Sequence, residues 1–252
     1  MCWLTGGLMS GIVEFKSVFL SFGNRDILKD VSFKIPDGKI SLLIGKSGAG
    51  KTSVLRLVTG QLQPSSGYVS VNDSLFNYND KQNIYSLRKS LGMVFQSGAL
   101  FSDLTVFQNV ILPLQEHTNF SNEKMEYLVD VALGEVELTD AKSLYPWELS
   151  GGMVKRAAIA RASILKPGLM LYDEPLAGQD PVTAVKLVDL IKKRSGSALI
   201  VSHNINIMLK FVDYIIMLDQ GKLLFAGNKK QILSCDIPQV KSFVRPVEDY
   251  FD

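Results

Sequence analysis

Residues 45–52 read GKSGAGKT, and their flanks decide what they can do. KISLLIG leads in as an apolar strand, and from Lys51 to about Thr59 the chain reads as a helix closed by Gly60. The pattern G-x-x-x-x-G-K-[ST] is complete, in the strand-to-helix context it requires. Glycines there let backbone N–H groups wrap the β-phosphate of a nucleotide. Lys51 reaches the β and γ oxygens, and the Thr52 hydroxyl ligates Mg²⁺. The expected nucleotide contacts are therefore Gly45, Lys46, Ser47, Gly48, Ala49, Gly50, Lys51, Thr52 and Ser53. A glycine-rich turn with an incidental lysine is the rival reading, and the strand and helix weigh against it.

Far downstream stands a second helix start prepared for an anion. LSGGMVKRAAIARA, residues 149–162, places Ser150, Gly151 and Gly152 ahead of a helical run carrying Lys155, Arg156 and Arg161. Bare N–H groups and the positive end of the helix dipole converge at such a place. One chain thus carries two phosphate-ready sites, which one bound nucleotide does not explain.

Strands alternate with helices around the first loop. GIVEFKSVFLSF, DVSFKI and KISLLIG read as strands, with a turn at Pro36-Asp37-Gly38, and PSSGYVSVN turns into another short one. Residues 97–166 look mainly helical, with Met125, Leu128, Val129, Ala132 and Leu133 at helical spacing after Ser121 as N-cap. LMLYDE and ALIVSHN read as buried strands; Asp180 caps a helix with Pro181 at its first position. YIIMLDQGKLLFAG reads as a hairpin turning at Asp219-Gln220-Gly221. The expected class is α/β, a mostly parallel core sheet with an antiparallel β part and an inserted helical subdomain.

Asp173 and Glu174 end the strand LMLYDE, where a phosphate-loop fold needs a carboxylate for Mg²⁺ and a group that polarises water. Alone, such a pair reads equally well as a solvated strand end. His203, Gln96 and Phe22 say less by themselves: a histidine after a strand is more often structural, and an exposed aromatic need not stack on a base. Formal charge is +2, 27 basic against 25 acidic side chains, without the strongly basic footprint of a nucleic-acid binder. Cys2 and Cys235 form no framework and read as free thiols. MCWLTGGLMSGIV has no basic residue ahead of its apolar part, so it fails as a signal peptide, and Met9 is an alternative start to Met1. No stretch approaches the roughly twenty apolar residues of a membrane-spanning helix.

Taken in order, residues 45–52, Gln96, LSGGM, LMLYDEPLAGQDP and VSHN resemble the ATP-binding-cassette (ABC) ATPases over nearly the whole chain. The resemblance implies the P-loop ABC ATPase fold, with ATP and Mg²⁺ as its ligands. It makes Glu174, His203 and Gln96 the catalytic set, and Thr52, Gln96 and Asp173 the metal ligands. Phe22 becomes the ring that stacks on adenine, residues 177–180 become the family's D-loop, and Asp180 joins the nucleotide-binding residues. Two copies would face head to tail, so that Ser150, Gly151 and Gly152 close on the γ-phosphate held by the neighbour's Lys51. Met153 stands where the family most often has Gln, and Gln179 where it usually has Leu. Those departures, with FQSGALF-x-D-x-x-V, resemble the subgroup that serves phospholipid transporters with MCE-domain partners.

The partners so implied are a second copy, an integral membrane permease, an MCE-domain substrate-binding protein and a small regulatory subunit, with no nucleic acid. The place implied is the cytoplasmic face of a bacterial inner membrane. The expected layout is a tail over 1–11, an ATPase domain over 12–235 with its helical subdomain at about 97–166, and a C-terminal tail over 236–252. That tail, split by prolines, is expected to lack structure unless Phe243, Tyr250 and Phe251 dock on a neighbour. The apolar run after Gln96, from Leu100 to Leu112, is read as subdomain core, with part of it (Phe101 and Leu104) lining a groove for a permease helix. The alternatives are an ABC ATPase for another substrate, or one acting in DNA maintenance, against which the lack of coiled-coil heptads counts.

Overall fold

The computed structural model describes residues 11–203 and 205–248; Cys2, the two candidate starts, Asn204, Tyr250 and Phe251 lie outside them. β1 (Gly11–Phe22) and β2 (Arg25–Pro36) form an antiparallel pair. β3 (Ile40–Gly45) leads into α1 (Lys51–Val58), and β4 (Ser66–Val71) with β5 (Ser74–Leu75) returns to the first pair. α2 (Lys81–Lys89) precedes β6 (Leu91–Val94). Then come α3 (Val106–His117), α4 (Asn122–Glu135) and α5 (Gly151–Ser163). β7 (Leu169–Asp173), α6 (Pro181–Arg194), β8 (Ser197–Val201) and the short α7 (Ile205–Met208) follow. β9 (Tyr214–Asp219) and β10 (Lys222–Asn228) make a hairpin, and α8 (Lys229–Leu233) and α9 (Pro238–Glu248) come last.

The strands form two sheets. One is antiparallel, in the order β2-β1-β4-β5; the other runs β10-β9-β3-β8-β7-β6 and is parallel except for β10. β3 is flanked by β8 and β9 and buried along its length, which is why ISLLIG carries no solvent-facing alternation. Its side chains still alternate between two cores. Leu42 and Ile44, like Met170 and Tyr172 of β7, join the helices of the middle; Leu43, Leu169 and Leu171 face α1 and the antiparallel sheet. Register then fixes the site: Asp173 pairs with Val201 and Leu43 also pairs with Val201, so the loops after β3, β7 and β8 leave one edge together.

Local chemistry places the elements where the sequence put them. Ser121 caps α4 by accepting from the Lys124 N–H at 3.4 Å, and Asp180 caps α6 by accepting from Val182 and Thr183, both at 3.0 Å. The β9–β10 turn holds Gln220 and Gly221 at φ 47° and 78°, the left-handed pair that suits a two-residue hairpin.

Two expectations need correction, and one helix had no expectation attached. β2 begins at Arg25 rather than Asp30, because Arg25 and Asp26 pair across the hairpin with Phe22 and Ser21. α2 was not legible as a helix: it buries Leu87 alone, and its signal is the Asp80 cap on Gln82 and Asn83. The tail is helical over Pro238–Glu248, with Val240 buried and Ile237 and Phe243 packed on the main core. Pro238 takes the first helical position, where its missing N–H breaks no internal hydrogen bond, while Pro246 falls within the helix. Phe243 is thus engaged within its own chain. Cys235 is a buried free thiol, as expected.

Candidate functional site

β3 ends at Gly45, whose φ is 154°; a Cβ there would lie 2.3 Å from the Leu218 carbonyl oxygen. Gly50, at φ 105°, is the N-cap of α1 and donates no side-chain cap, and a Cβ on it would meet Leu28 Cδ2 at 2.7 Å. The first N–H groups of α1 are therefore left for a ligand, beneath a loop that side chains cannot fill. Lys51 is only 7% exposed, and its Nζ donates to the carbonyls of Gly45 (2.7 Å) and Lys46 (3.1 Å). Burial holds its pKa below the usual lysine value, against the charges of Glu174 and Asp173. Thr52 and Ser53 sit in the first turn of α1, Thr52 exposed.

Across the sheet edge, burial pushes the Asp173 carboxyl up, opposed by Arg56, Lys155 and Lys51. Glu174 takes a left-handed φ of 48°, a strained state for a residue with a Cβ. Its N–H donates to the Val201 carbonyl at 2.9 Å, and its Oε2 accepts from the His203 backbone N–H at 3.1 Å. His203 Nε2 lies 3.2 Å from Oε1, an ion-pair distance without hydrogen-bond alignment, which leaves Oε1 buried and unsatisfied. An orphan carboxylate oxygen beside the phosphate loop is a seat for a polar group or water. Thr52 and Asp173 offer hard oxygen donors suited to Mg²⁺, which uses few protein ligands and takes the rest from phosphates and water.

The second helix start is built differently. Ser150 is the N-cap of α5, its Oγ accepting from the Met153 N–H at 3.3 Å. A Cβ on Gly152 would approach Thr183 Cγ2 to 3.1 Å and Gln179 Oε1 to 3.3 Å; one on Gly151 would lie 3.6 Å from Gln179 Nε2. Met153 and Gln179, the two departures in the sequence, thus share one cavity of about 540 Å³ with Ser150, Gly151, Gly152 and Asp180. No residue of 45–53 lines it. Lys51, Asp173, Glu174 and His203 come together; Ser150, Gly151, Gly152 and Asp180 form a separate group.

Phe22 stands at the hairpin end of β1, 52% exposed and available for stacking. Gln96 follows β6 in a turn with its side chain exposed. Sequence reasoning named Lys155 only among the cations of the helix and gave it no site role; it is buried and donates to the Gln96 carbonyl. Its signal was a charge set among the small residues of the helix. A groove of about 430 Å³ lies beside this turn, lined by Phe95, Ala99, Phe101, Leu112, Pro113 and Leu165 among others. Phe101 is half exposed there; Leu104 does not line it, and Val106, Val110 and Ile111 are core.

Residues 28–177 match the family described as ABC transporter. The chain belongs to that family. It is 37% identical over 245 residues to the intermembrane phospholipid transport system ATP-binding protein MlaF of Escherichia coli K12, covering 96% of this chain and 91% of that one. Among solved structures it resembles cbiO1 of Clostridium perfringens, part of the ABC transporter complex cbiONQ, with a TM-score of 0.82, 27% identity and 96% of each chain covered. It also resembles the ATP-binding cassette MJ0796, a dimer in a post-hydrolysis state bound to ADP and Pi, with a TM-score of 0.77, 28% identity, and 86% and 98% of the two chains covered. The fold is that of the ABC cassettes, and the chain is an ABC transporter ATPase subunit.

Proposed function

We propose that this chain drives a membrane permease that moves phospholipid between membranes, and that it hydrolyses ATP at two sites shared by a pair of identical subunits. One observation carries the shared-site reading: the cavity over Ser150, Gly151 and Gly152 is lined by no residue of the phosphate loop, so one chain holds two half-sites that do not meet. Head-to-tail pairing joins each loop to the other chain's helix start. The dimeric cassette with ADP and Pi and the phospholipid role named for the Escherichia coli relative support the same reading.

Residues 45–53 hold the phosphates, Lys51 leaving its carbonyl partners for the β and γ oxygens, while Phe22 stacks on the base. Thr52, Asp173 and the Gln96 side chain hold Mg²⁺, which supplies charge neutralisation at the phosphates when bound. Glu174 orients the attacking water through its unsatisfied oxygen, and His203 keeps that carboxylate aimed. Ser150, Gly151 and Gly152 add N–H groups from the second chain, and Asp180 fixes α6 beside them.

The helical middle, about 97–166, acts as a subdomain within an ATPase domain over 12–235, and the groove beside Phe101 receives a short helix of the permease. Contact with the bilayer goes through that permease, at the cytoplasmic face of an inner membrane, as the phospholipid transport system named for the Escherichia coli relative suggests. An MCE-domain protein and a small regulatory subunit complete the complex. Purification with the permease in lipid vesicles tests this. The expected result is phospholipid-stimulated ATP hydrolysis that Phe101→Ala uncouples; copurification untouched by Phe101→Ala would place the permease elsewhere.

A further inference from the structure

Residues 96–101, between β6 and α3, are held from α5. Lys155 is 5% exposed and its Nζ donates to the Gln96 carbonyl. Farther along the same helix, Arg161 donates from Nη2 to the carbonyls of Gly98 (3.3 Å) and Ala99 (2.8 Å), and from Nη1 to Asn109 Oδ1 (3.3 Å). A Cβ on Gly98 would meet Val154 Cγ1 at 2.7 Å, so loop and helix touch without slack. The Gln96 side chain stays exposed. Burial holds the Lys155 pKa below the usual lysine value, opposed only in part by the charges of Asp173 and Glu174.

Burying an ammonium is costly, and an apolar side chain of like volume would serve packing alone as well or better. Lys155 nevertheless lies on the helix whose first turn carries Gly151 and Gly152, roughly one turn farther along. We infer that Lys155 is a positioning residue for ATP hydrolysis, latching the Gln96 loop to the helix that meets the partner's nucleotide. This rests on the shared-site reading above. When a γ-phosphate engages the start of α5, the rigid helix carries the Gln96 carbonyl with it, and the exposed side chain is set toward its own site. Arg161 secures the loop at 98–99, leaving Lys155 to set Gln96 itself. Each site is thereby informed of the other's nucleotide.

Lys155→Met and Lys155→Arg in the full-length chain test it, with nucleotide affinity, melting temperature, kcat and the Hill coefficient for ATP measured together. Lys155→Met is expected to keep the melting temperature at or above that of the unaltered protein and ATP affinity within about twofold. Its kcat falls about tenfold to hundredfold, the scale of a lost charged hydrogen bond, and its Hill coefficient drops from about two toward one. Lys155→Arg, which keeps charge and donors, recovers most of both. Unchanged kcat and cooperativity in Lys155→Met, an Arg variant no better than Met, or a rate loss that tracks a fall in melting temperature would overturn the inference. Glu174→Gln run alongside separates the two claims: ATP-driven pairing in that variant upholds the shared site, and its absence removes that reading whatever Lys155 does.

Discussion

The two phosphate-ready helix starts of this chain are made by opposite means. α1 begins at a glycine without a side-chain cap, under a loop closed by its own backbone, with the cation Lys51 already buried inside. α5 begins at a serine that caps its own helix and opens onto a cavity of about 540 Å³. On the proposed reading the first grips phosphate in its own chain, and the second receives a phosphate held by a partner. Helix dipoles are alike at both places, so what separates them is the loop in front.

The contrast is broken most severely at the chemistry that both halves serve. Glu174→Gln should lower ATP turnover by about two orders of magnitude or more while ATP still binds, the scale seen when a key polar group is lost; steady-state hydrolysis in that variant reads it directly. Lys51→Ala should instead weaken nucleotide binding about tenfold to hundredfold, because a buried charged donor is lost, as an equilibrium titration would show. Glycine replacements sharpen the comparison next. Gly50→Ala forces a left-handed Cβ against Leu28 and should destabilise by about 1–3 kcal/mol, whereas Gly151→Ala meets Gln179 at an ordinary 3.6 Å and should leave the melting temperature unchanged.

The smallest effect concerns pH. Burial raises the Asp173 pKa from 3.8, so the fold binds that proton more tightly than the unfolded chain. Its contribution is full below pH 3.8 and is lost as pH rises through the elevated pKa; Asp173→Asn should remove that part of the slope in melting temperature.

Much of this was legible in the sequence because local rules carried it. The strand before Gly45, the Asp180 and Ser121 caps and the Gln220-Gly221 turn each follow from residue type and spacing. The early start of β2 was not, since Arg25 is in a strand only because Phe22 stands opposite. Nor was α9, whose prolines read as breaks until Val240 is seen buried. In the site, motif residues could be named but not grouped. That Gln179 lies against Gly152 and that Lys155 reaches Gln96 are contacts across 27 and 59 positions, invisible to any local pattern.

The most direct test mixes two crippled chains. Ser150→Arg spoils the helix start but keeps the grip; Lys51→Ala spoils the grip but keeps the helix start. Neither alone should pair on ATP. Together they form one intact composite site, so ATP-dependent heterodimers should appear by light scattering, with hydrolysis restored in part. Mixtures as inert as their components, or Ser150→Arg monomers splitting ATP at full rate, would contradict a site divided between two chains.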